Sequence, residues 1–355
     1  MLRTMVKEFS KAGYDLIIPL NKKLKRLTEW LDADVLLAKD GINEALSHRP
    51  DAALIIAPEN GGELEQITAR IGKKDVTVLG AQEKVIRASA DKWLTYSALK
   101  YKVPQPRTWK KPPKANSRIL AKSMDGVRCE GTEFYLSRRR GEEKIYQEFI
   151  EGENASCCLL MSEGQGQVLS VNKQDIITDG RFKYTGGEIP FKHRLTKKCV
   201  DVALNAAKIL DLRGYCGVDL VLGDIPYFVE LNPRVTTSFV PLSQILQANL
   251  AEILMDVIIE NKPLPKPKLR GHSIIKIPRA KRNLKVAAKK LNQLKEIPGI
   301  IAPPFAPEGI IKKGYPIFLV SRLGNNQASA KRHLIETIEE SLSLLGVEKN
   351  EITWH

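Results

Sequence analysis

Apolar runs of strand length, DLIIPL at 15–20, DAALIIAPE at 51–59 and DVTVLG at 75–80, alternate over residues 1–88 with helically spaced stretches such as VKEFSKAG. Short strands interleaved with amphipathic helices build parallel α/β units, whose ligands bind at the carboxyl ends of the strands. Residues 1–88 are therefore expected to form a small Rossmann-like domain. The pattern opens on a helix, so a first strand of that unit is expected to be missing or supplied unusually.

From residue 89 the pattern changes. ASADKWLTYSALKYKVPQPRTW at 88–109 reads as a capped helix and a proline-punctuated connection. The strand-like segments SRILAKSM, EKIYQEFI, ASCCLLMS and QVLSVNKQDII follow. A helix is expected at 196–210, then strands CGVDLVLG and IPYFVELN, then one long amphipathic helix at 240–260. This is an α+β body at 148–262, with a small lid subdomain at 89–147. The proline-rich basic segment KPLPKPKLRG at 262–271 reads as a stiff linker. Residues 263–355 are expected to form a C-terminal α/β cap domain, with strands HSIIKIP and YPIFLVS and lysine-rich helices. The fold class is thus mixed, α/β followed by α+β.

The densest chemistry lies in GVDLVLGDIPYFVELNPRVTTSF at 217–239. Two strands of a hairpin would place Asp219 opposite Glu230 and Asn232, and residues two apart on a strand share a face. Two carboxylates and an amide oxygen are the hard oxygen ligands that Mg²⁺ prefers. Glu230 could bridge two ions, and Arg234 on the following turn could hold a phosphate or an oxyanion. An acidic hairpin end with solvated charges is the plainer reading. Lys122 ends a strand before a loop holding Gly126 and Gly131, where a lysine can neutralise phosphate oxygens. The strand ending at Glu148, Phe149 and Ile150, with Glu151 and Glu153 around Gly152, offers backbone and carboxylate partners to a nucleotide. Lys92 is placed one turn into its helix, where it could face a polyphosphate. Taken singly, each of these is commonly a loop, an acidic turn or a solvated lysine.

Their order is the specific signal. Lys92, then Lys122 before a glycine-containing loop, then EFIEGE, then Asp219, Glu230 and Asn232 followed by Pro233 and Arg234, resembles the ATP-grasp superfamily over residues 80–240. The resemblance implies the ATP-grasp fold, with residues 1–88 as its pre-ATP-grasp domain. It implies ATP phosphates at Lys92 and Lys122, adenine at Glu148 and Ile150, and ribose at Glu151 or Glu153. It further implies Mg²⁺ at Asp219, Glu230 and Asn232, as two ions for which Mn²⁺ can substitute, with Arg234 beside the reacting carboxylate. The loop SMDGVRCEG is poorer in glycine than the corresponding loops of many members, which leaves its closure over the γ-phosphate open. The segments IIAPENGGELEQIT, VLGAQEKVIRASADK, VNKQDIITDGRFKYTGGEIP and VELNPRVTTSF are similar to the branch that includes tyramine–L-glutamate ligase of methanofuran biosynthesis. The implied activity is ATP-dependent carboxylate–amine ligation through an acyl phosphate. A carboxylase or carbamoyl-phosphate type of reaction, and a non-enzymatic nucleotide-binding protein, are the alternatives. VNKQDIITDGRFKYTGGEIP at 171–190 reads as a substrate loop, with Lys173, Arg181 and Tyr184 for a carboxylate or aromatic amine and Gln174 for a polar contact. Thr236, Thr237 and Ser238 would line the acceptor pocket beside Arg234.

Charge changes this picture little. The net charge of +15, from 56 Lys and Arg against 41 Asp and Glu, suits anionic nucleotides. At 6% aromatic residues, with basic residues scattered, the chain lacks the stacking platform of a nucleic-acid binder. No run is apolar over a bilayer's thickness and no signal peptide is evident, so a cytoplasmic protein without a membrane partner is expected. Five cysteines without CxxC pairs are expected to be reduced and mostly buried. RAKRNLKVAAKK at 279–290 is expected to be a solvated helix face. Capping, self-association as a homo-oligomer and contact with an anionic partner are all roles open to the C-terminal segment.

Overall fold

The computed structural model describes residues 1–114, 118–124, 131–135, 144–178, 181–304, 306 and 309–354. Gly126 and Cys129 lie outside the described residues. The N-terminal unit runs α1 (Leu2–Lys11), β1 (Ile18–Asn21), β2 (Val35–Ala38), α2 (Gly41–Ser47), β3 (Ala52–Ala53), α3 (Glu63–Gly72) and β4 (Thr77–Val78). Its strands pair in parallel, β1 with β2 and β3 with β4, as two separate pairs. Met5 and Phe9 of α1 join the core cluster of the body.

Where one capped helix is expected at the start of 88–109 there are two, α4 (Glu83–Ala90) and α5 (Lys92–Leu99). Asp91 is extended between them, and its carboxylate accepts from the amides of Trp93 and Leu94. An aspartate that caps so well starts a new helix instead of continuing an old one. Lys92 is consequently the first residue of α5, not a turn inside it. The lid is a four-stranded antiparallel sheet, β5 (Thr108–Trp109), β6 (Ile119–Ser123), β7 (Glu133–Phe134) and β8 (Lys144–Glu148), in the order β5-β8-β6-β7.

The body is built on β9 (Glu153–Ser162), β10 (Gln165–Thr178), β11 (Phe182–Ile189), β12 (Gly214–Leu222) and β13 (Pro226–Asn232). The C-terminal strands β14 (His272–Lys276), β15 (Ile300–Ala302) and β16 (Leu319–Gly324) extend the same sheet, in the order β13-β12-β9-β10-β11-β14-β16-β15. The division drawn at 262/263 thus crosses one continuous sheet. Cys157, Leu159 and Met161 of β9 pack with α6 (Thr196–Ile209), while Cys158 and Leu160 pack with α7 (Phe239–Ile245) and α8 (Leu250–Ile258). A strand buried on both faces is apolar throughout, which is why ASCCLLMS shows no alternation. Cys157, Cys158, Cys199 and Cys216 are free and buried.

Three further expectations need correction. The 171–190 segment is not a loop but most of the β10–β11 hairpin, central in the sheet. Its glycines mark close approach: a Cβ on Gly186 would collide with the Ile275 carbonyl of β14. The single helix at 240–260 breaks between α7 and α8, where Asn249 caps α8 and Leu246 bridges to Leu269. Arg279–Lys290 is not a helix face. Leu284 and Val286 are buried while Lys285 and Ala287 are exposed, a period-two pattern that makes short strands at 279–280 and 284–285 before α9 (Ala288–Gln293). The long α10 (Gln327–Leu345) closes the segment, capped by Asn326 and ended by left-handed Gly346. Among the described residues no helix is long and apolar enough to cross a membrane.

Gly214 shows how closely the N-terminal unit meets the body. Its φ is +78°, and a Cβ there would stand 2.7 Å from the Cα of Gly80. Gly214→Ala is expected to cost roughly 1–3 kcal/mol, seen as a lower urea midpoint at unchanged slope.

Candidate active site

The register of β12 and β13 sets Asp219 opposite Glu230 and Gly217 opposite Asn232, so the three polar side chains share one face. Asn232 donates to Asp219 Oδ2 at 3.2 Å and Gln174 of β10 donates to Oδ1 at 2.9 Å. Burial, and then the Glu230 carboxylate, push Asp219 up to about 7. Gly217 leaves room for the chain returning after β13, since a Cβ there would lie 2.6 Å from Thr236 Cγ2. Among the described residues no group of three His, Cys, Asp or Glu side chains is set to hold a metal. Two carboxylates and one amide oxygen nevertheless fit Mg²⁺, which binds through one or two carboxylates and takes phosphate and water for the rest. The strain on Asp219 fits as well, because a divalent cation reverses the repulsion between the two carboxylates.

Glu230 also faces a cleft of ≈ 360 Å³ between β13, α5 and the lid, lined by Lys92, Lys122, Gln147 and Phe228 among others. Lys92 Nζ lies 3.2 Å from Glu230 Oε1, with both side chains largely shielded from solvent. The backbone amide of Lys92 donates to the Met124 carbonyl, tying the start of α5 to the end of β6. Lys122 is buried and donates to Gln147 Oε1 at 2.6 Å, and Gln147 in turn donates to Thr108 Oγ1. From the sequence Gln147 is expected to be exposed at the strand end with Glu148, Phe149 and Ile150, whereas it is buried on the face of KIYQE that also buries Ile145.

The segment after Gln147 is arranged differently from expectation. Glu148 points to the opposite side of β8 from Gln147, and both its oxygens accept from Arg107, at 2.8 and 3.0 Å. That hydrogen bond holds Glu148 below the usual carboxylate range. Its carboxylate is therefore engaged away from Lys122. The Phe149 ring meets Phe134 and Phe182, and the Arg118 guanidinium lies 4.4 Å from the rings of both Phe134 and Phe149. Ile150 is half-buried, and Glu151 and Glu153 are exposed, the latter 3.6 Å from His193.

Of the β10–β11 residues, Gln174 reaches the Asp219 face, and Lys173 next to it on the strand points to the other side. Tyr184 is shielded, and burial followed by Asp175 and Asp219 raises its hydroxyl well above the phenol range. Arg181 is exposed at the hairpin tip. Thr236 and Ser238 hydroxyls lie 3.1 Å apart, and the Thr237 carbonyl accepts from Val240 at the start of α7. Arg234 donates to Glu59 Oε2 at 2.9 Å, and both side chains are nearly buried. Glu59 was missed in the sequence, although it lies in the connection between β3 and α3, the kind of strand-to-helix segment that follows the carboxyl ends of α/β strands, where ligands bind.

With this geometry in view, known proteins give a consistent comparison. The ATP-grasp domain family matches residues 89–238. Tyramine–L-glutamate ligase of Methanocaldococcus fervens is 36% identical over 236 residues, covering 66% of this chain and 74% of that protein. The tyramine–L-glutamate ligase of Methanocaldococcus jannaschii is 36% identical over 59% of this chain and 63% of its own length. A solved ATP-grasp superfamily protein from Archaeoglobus fulgidus matches with a TM-score of 0.65 at 26% identity, over 90% of this chain and 91% of that one. N5-carboxyaminoimidazole ribonucleotide synthetase from Thermotoga maritima, at a TM-score of 0.70 and 14% identity over 99% of this chain and 96% of that one, shares the fold. The chain belongs to the ATP-grasp superfamily, as an ATP-dependent ligase of the carboxylate–amine branch that includes tyramine–L-glutamate ligase.

Proposed function

We propose that this ligase joins the γ-carboxylate of glutamate to the amine of tyramine through an acyl phosphate, as a step of methanofuran biosynthesis. The observation that carries this is the convergence of Lys92, Lys122 and Glu230 on one cleft, with Asp219 and Asn232 on the adjoining face and Arg234 two residues beyond. The similarity to tyramine–L-glutamate ligases supports the choice of substrates. Lys92 and Lys122 neutralise phosphate oxygens of ATP, and to do so Lys92 turns from Glu230 and Lys122 from Gln147. Mg²⁺ held by Asp219, Glu230 and Asn232, as two ions for which Mn²⁺ can stand in, would withdraw charge from the transferring phosphoryl group. Arg234 orients the carboxylate for in-line attack and stabilises the oxyanion of the second step. The lid sheet carrying Lys122 excludes water that would hydrolyse the acyl phosphate. Ile150, with Glu151 or Glu153, receives the adenosine, and Gln174, Tyr184, Thr236 and Ser238 frame the acceptor side.

The test is an assay with ATP, Mg²⁺ and a panel of carboxylates crossed with amines, following ADP and coupled product by mass. ADP together with a glutamyl tyramide is expected. ADP with a different amide would replace the substrates, and ADP formation without any amide would remove the ligation reading.

A further inference from the structure

The turn Pro58–Gly62 carries a glutamate into the interior. Gly61 and Gly62 both take left-handed φ, +66° and +71°, and the Gly62 amide closes onto the Glu59 carbonyl. Two consecutive left-handed residues are a conformation that glycine adopts without strain. The turn directs the Glu59 side chain, 5% exposed, at Arg234, which lies 175 positions later in the chain. Only one oxygen of the carboxylate is used there. Glu59 Oε1 and Arg234 Nε are both buried and have no hydrogen-bond partner among the described residues. A buried anionic oxygen without a donor is costly, and an ion pair that served only to join the N-terminal unit to the body would gain by satisfying both ends. Glu59 is short of a donor, preferably a cationic one, at a point adjoining the residue that faces the reacting carboxylate.

We propose that Glu59 binds the amine substrate as its ammonium ion and takes a proton from it, making it the nucleophile of the second step; this rests on the ligase reading above. A primary amine reaches the site mostly protonated, and its lone pair is unavailable until that proton leaves. Glu59 accepts the first proton. The freed lone pair forms the C–N bond at the carbonyl carbon of the acyl phosphate while Arg234 holds the oxyanion. The bond from that carbon to the phosphate oxygen then breaks, and phosphate departs with the electron pair and the second proton from nitrogen. Glu59 is thereby a second selective element beside the carboxylate site, favouring amines that arrive charged.

Hydroxylamine separates this role from a structural one. It is largely unprotonated near neutral pH, needs neither an ammonium site nor a base, and converts an acyl phosphate to a hydroxamate. With glutamate, ATP and Mg²⁺, Glu59→Gln is expected to lower tyramide formation about a hundredfold while hydroxamate formation stays within about threefold of the parent protein. Glu59→Asp, which keeps the charge on a shorter arm, is expected to shift the same ratio in the same direction by less, and serves if the glutamine variant does not fold. Parallel loss of both products would overturn the proposal, since it would mean that Glu59 supports the first step, the carboxylate site or the fold. Tyramide formation at the parent rate would overturn it as well. If the parent protein forms hydroxamates from no carboxylate, the ligase reading falls, and this proposal falls with it.

Discussion

Glu230→Gln is expected to lower ATP-dependent ligation at least about a thousandfold, equivalent to losing several kcal/mol of transition-state charge stabilisation, while leaving the fold intact. Glutamine keeps the shape of the side chain and can still hydrogen-bond across the cleft, so the packing of β13 against α5 and the lid is retained. What disappears is charge. In the parent protein Glu230 stands opposite Asp219 and within 3.2 Å of Lys92 Nζ, and its carboxylate is the second cause, after burial, of the raised pKa of Asp219. The variant relieves that repulsion but also loses the shielded ion pair to Lys92, two effects of opposite sign, so its melting temperature should stay within a few degrees of the parent's. A large loss of rate in a protein of similar stability therefore isolates a chemical role. Steady-state ADP release, measured beside a thermal melt, gives both numbers. A variant turning over within tenfold of the parent would remove Glu230 from the phosphoryl-transfer machinery.

Local patterns made one part of this site readable in advance. Asp219, Glu230 and Asn232 sit on two adjacent strands joined by a tight turn, and alternation along a strand is enough to put Glu230 and Asn232 on one side. Lys122 and Gln147 are also strand residues, but β6 and β8 are joined through β7 and through residues outside the described set. No local period shows that the amide of one accepts from the ammonium of the other. Glu59 and Arg234 are the extreme case, since their meeting depends on how the N-terminal unit seats on the body. The errors in secondary structure have a related origin. Gly186 and Gly187 look like loop residues in isolation and are required by the neighbouring strand and carbonyls. Lysines around Leu284 and Val286 suggest a helix by propensity, whereas the burial of alternate residues makes a strand. Asp91 and Asn249 were both legible as caps, and weighing them as starts would have divided both helices correctly.

Arg234→Ala should act on rate and stability together, and the two effects can be separated. On rate, if Arg234 holds the carboxylate and then the oxyanion as proposed, its removal is expected to cost about 100- to 1000-fold in kcat/KM. A residue with that role in both steps would take hydroxamate and tyramide formation down together, unlike the selective loss expected for Glu59→Gln. On stability, the substitution strands a 5% exposed carboxylate whose Oε2 had Arg234 as its donor and whose Oε1 had none among the described residues. Breaking a buried pair from one side typically costs about 3–5 kcal/mol. Replacing Glu59 by Gln in the same protein removes the stranded charge, so the double variant should recover much of that stability in urea denaturation. It should recover none of the rate. A double variant that regains activity along with stability would show that Arg234 contributes by holding the N-terminal unit in place, and the charge stabilisation assigned to it would then have to come from other cations, of which Lys92 and Lys122 line the cleft among the described residues.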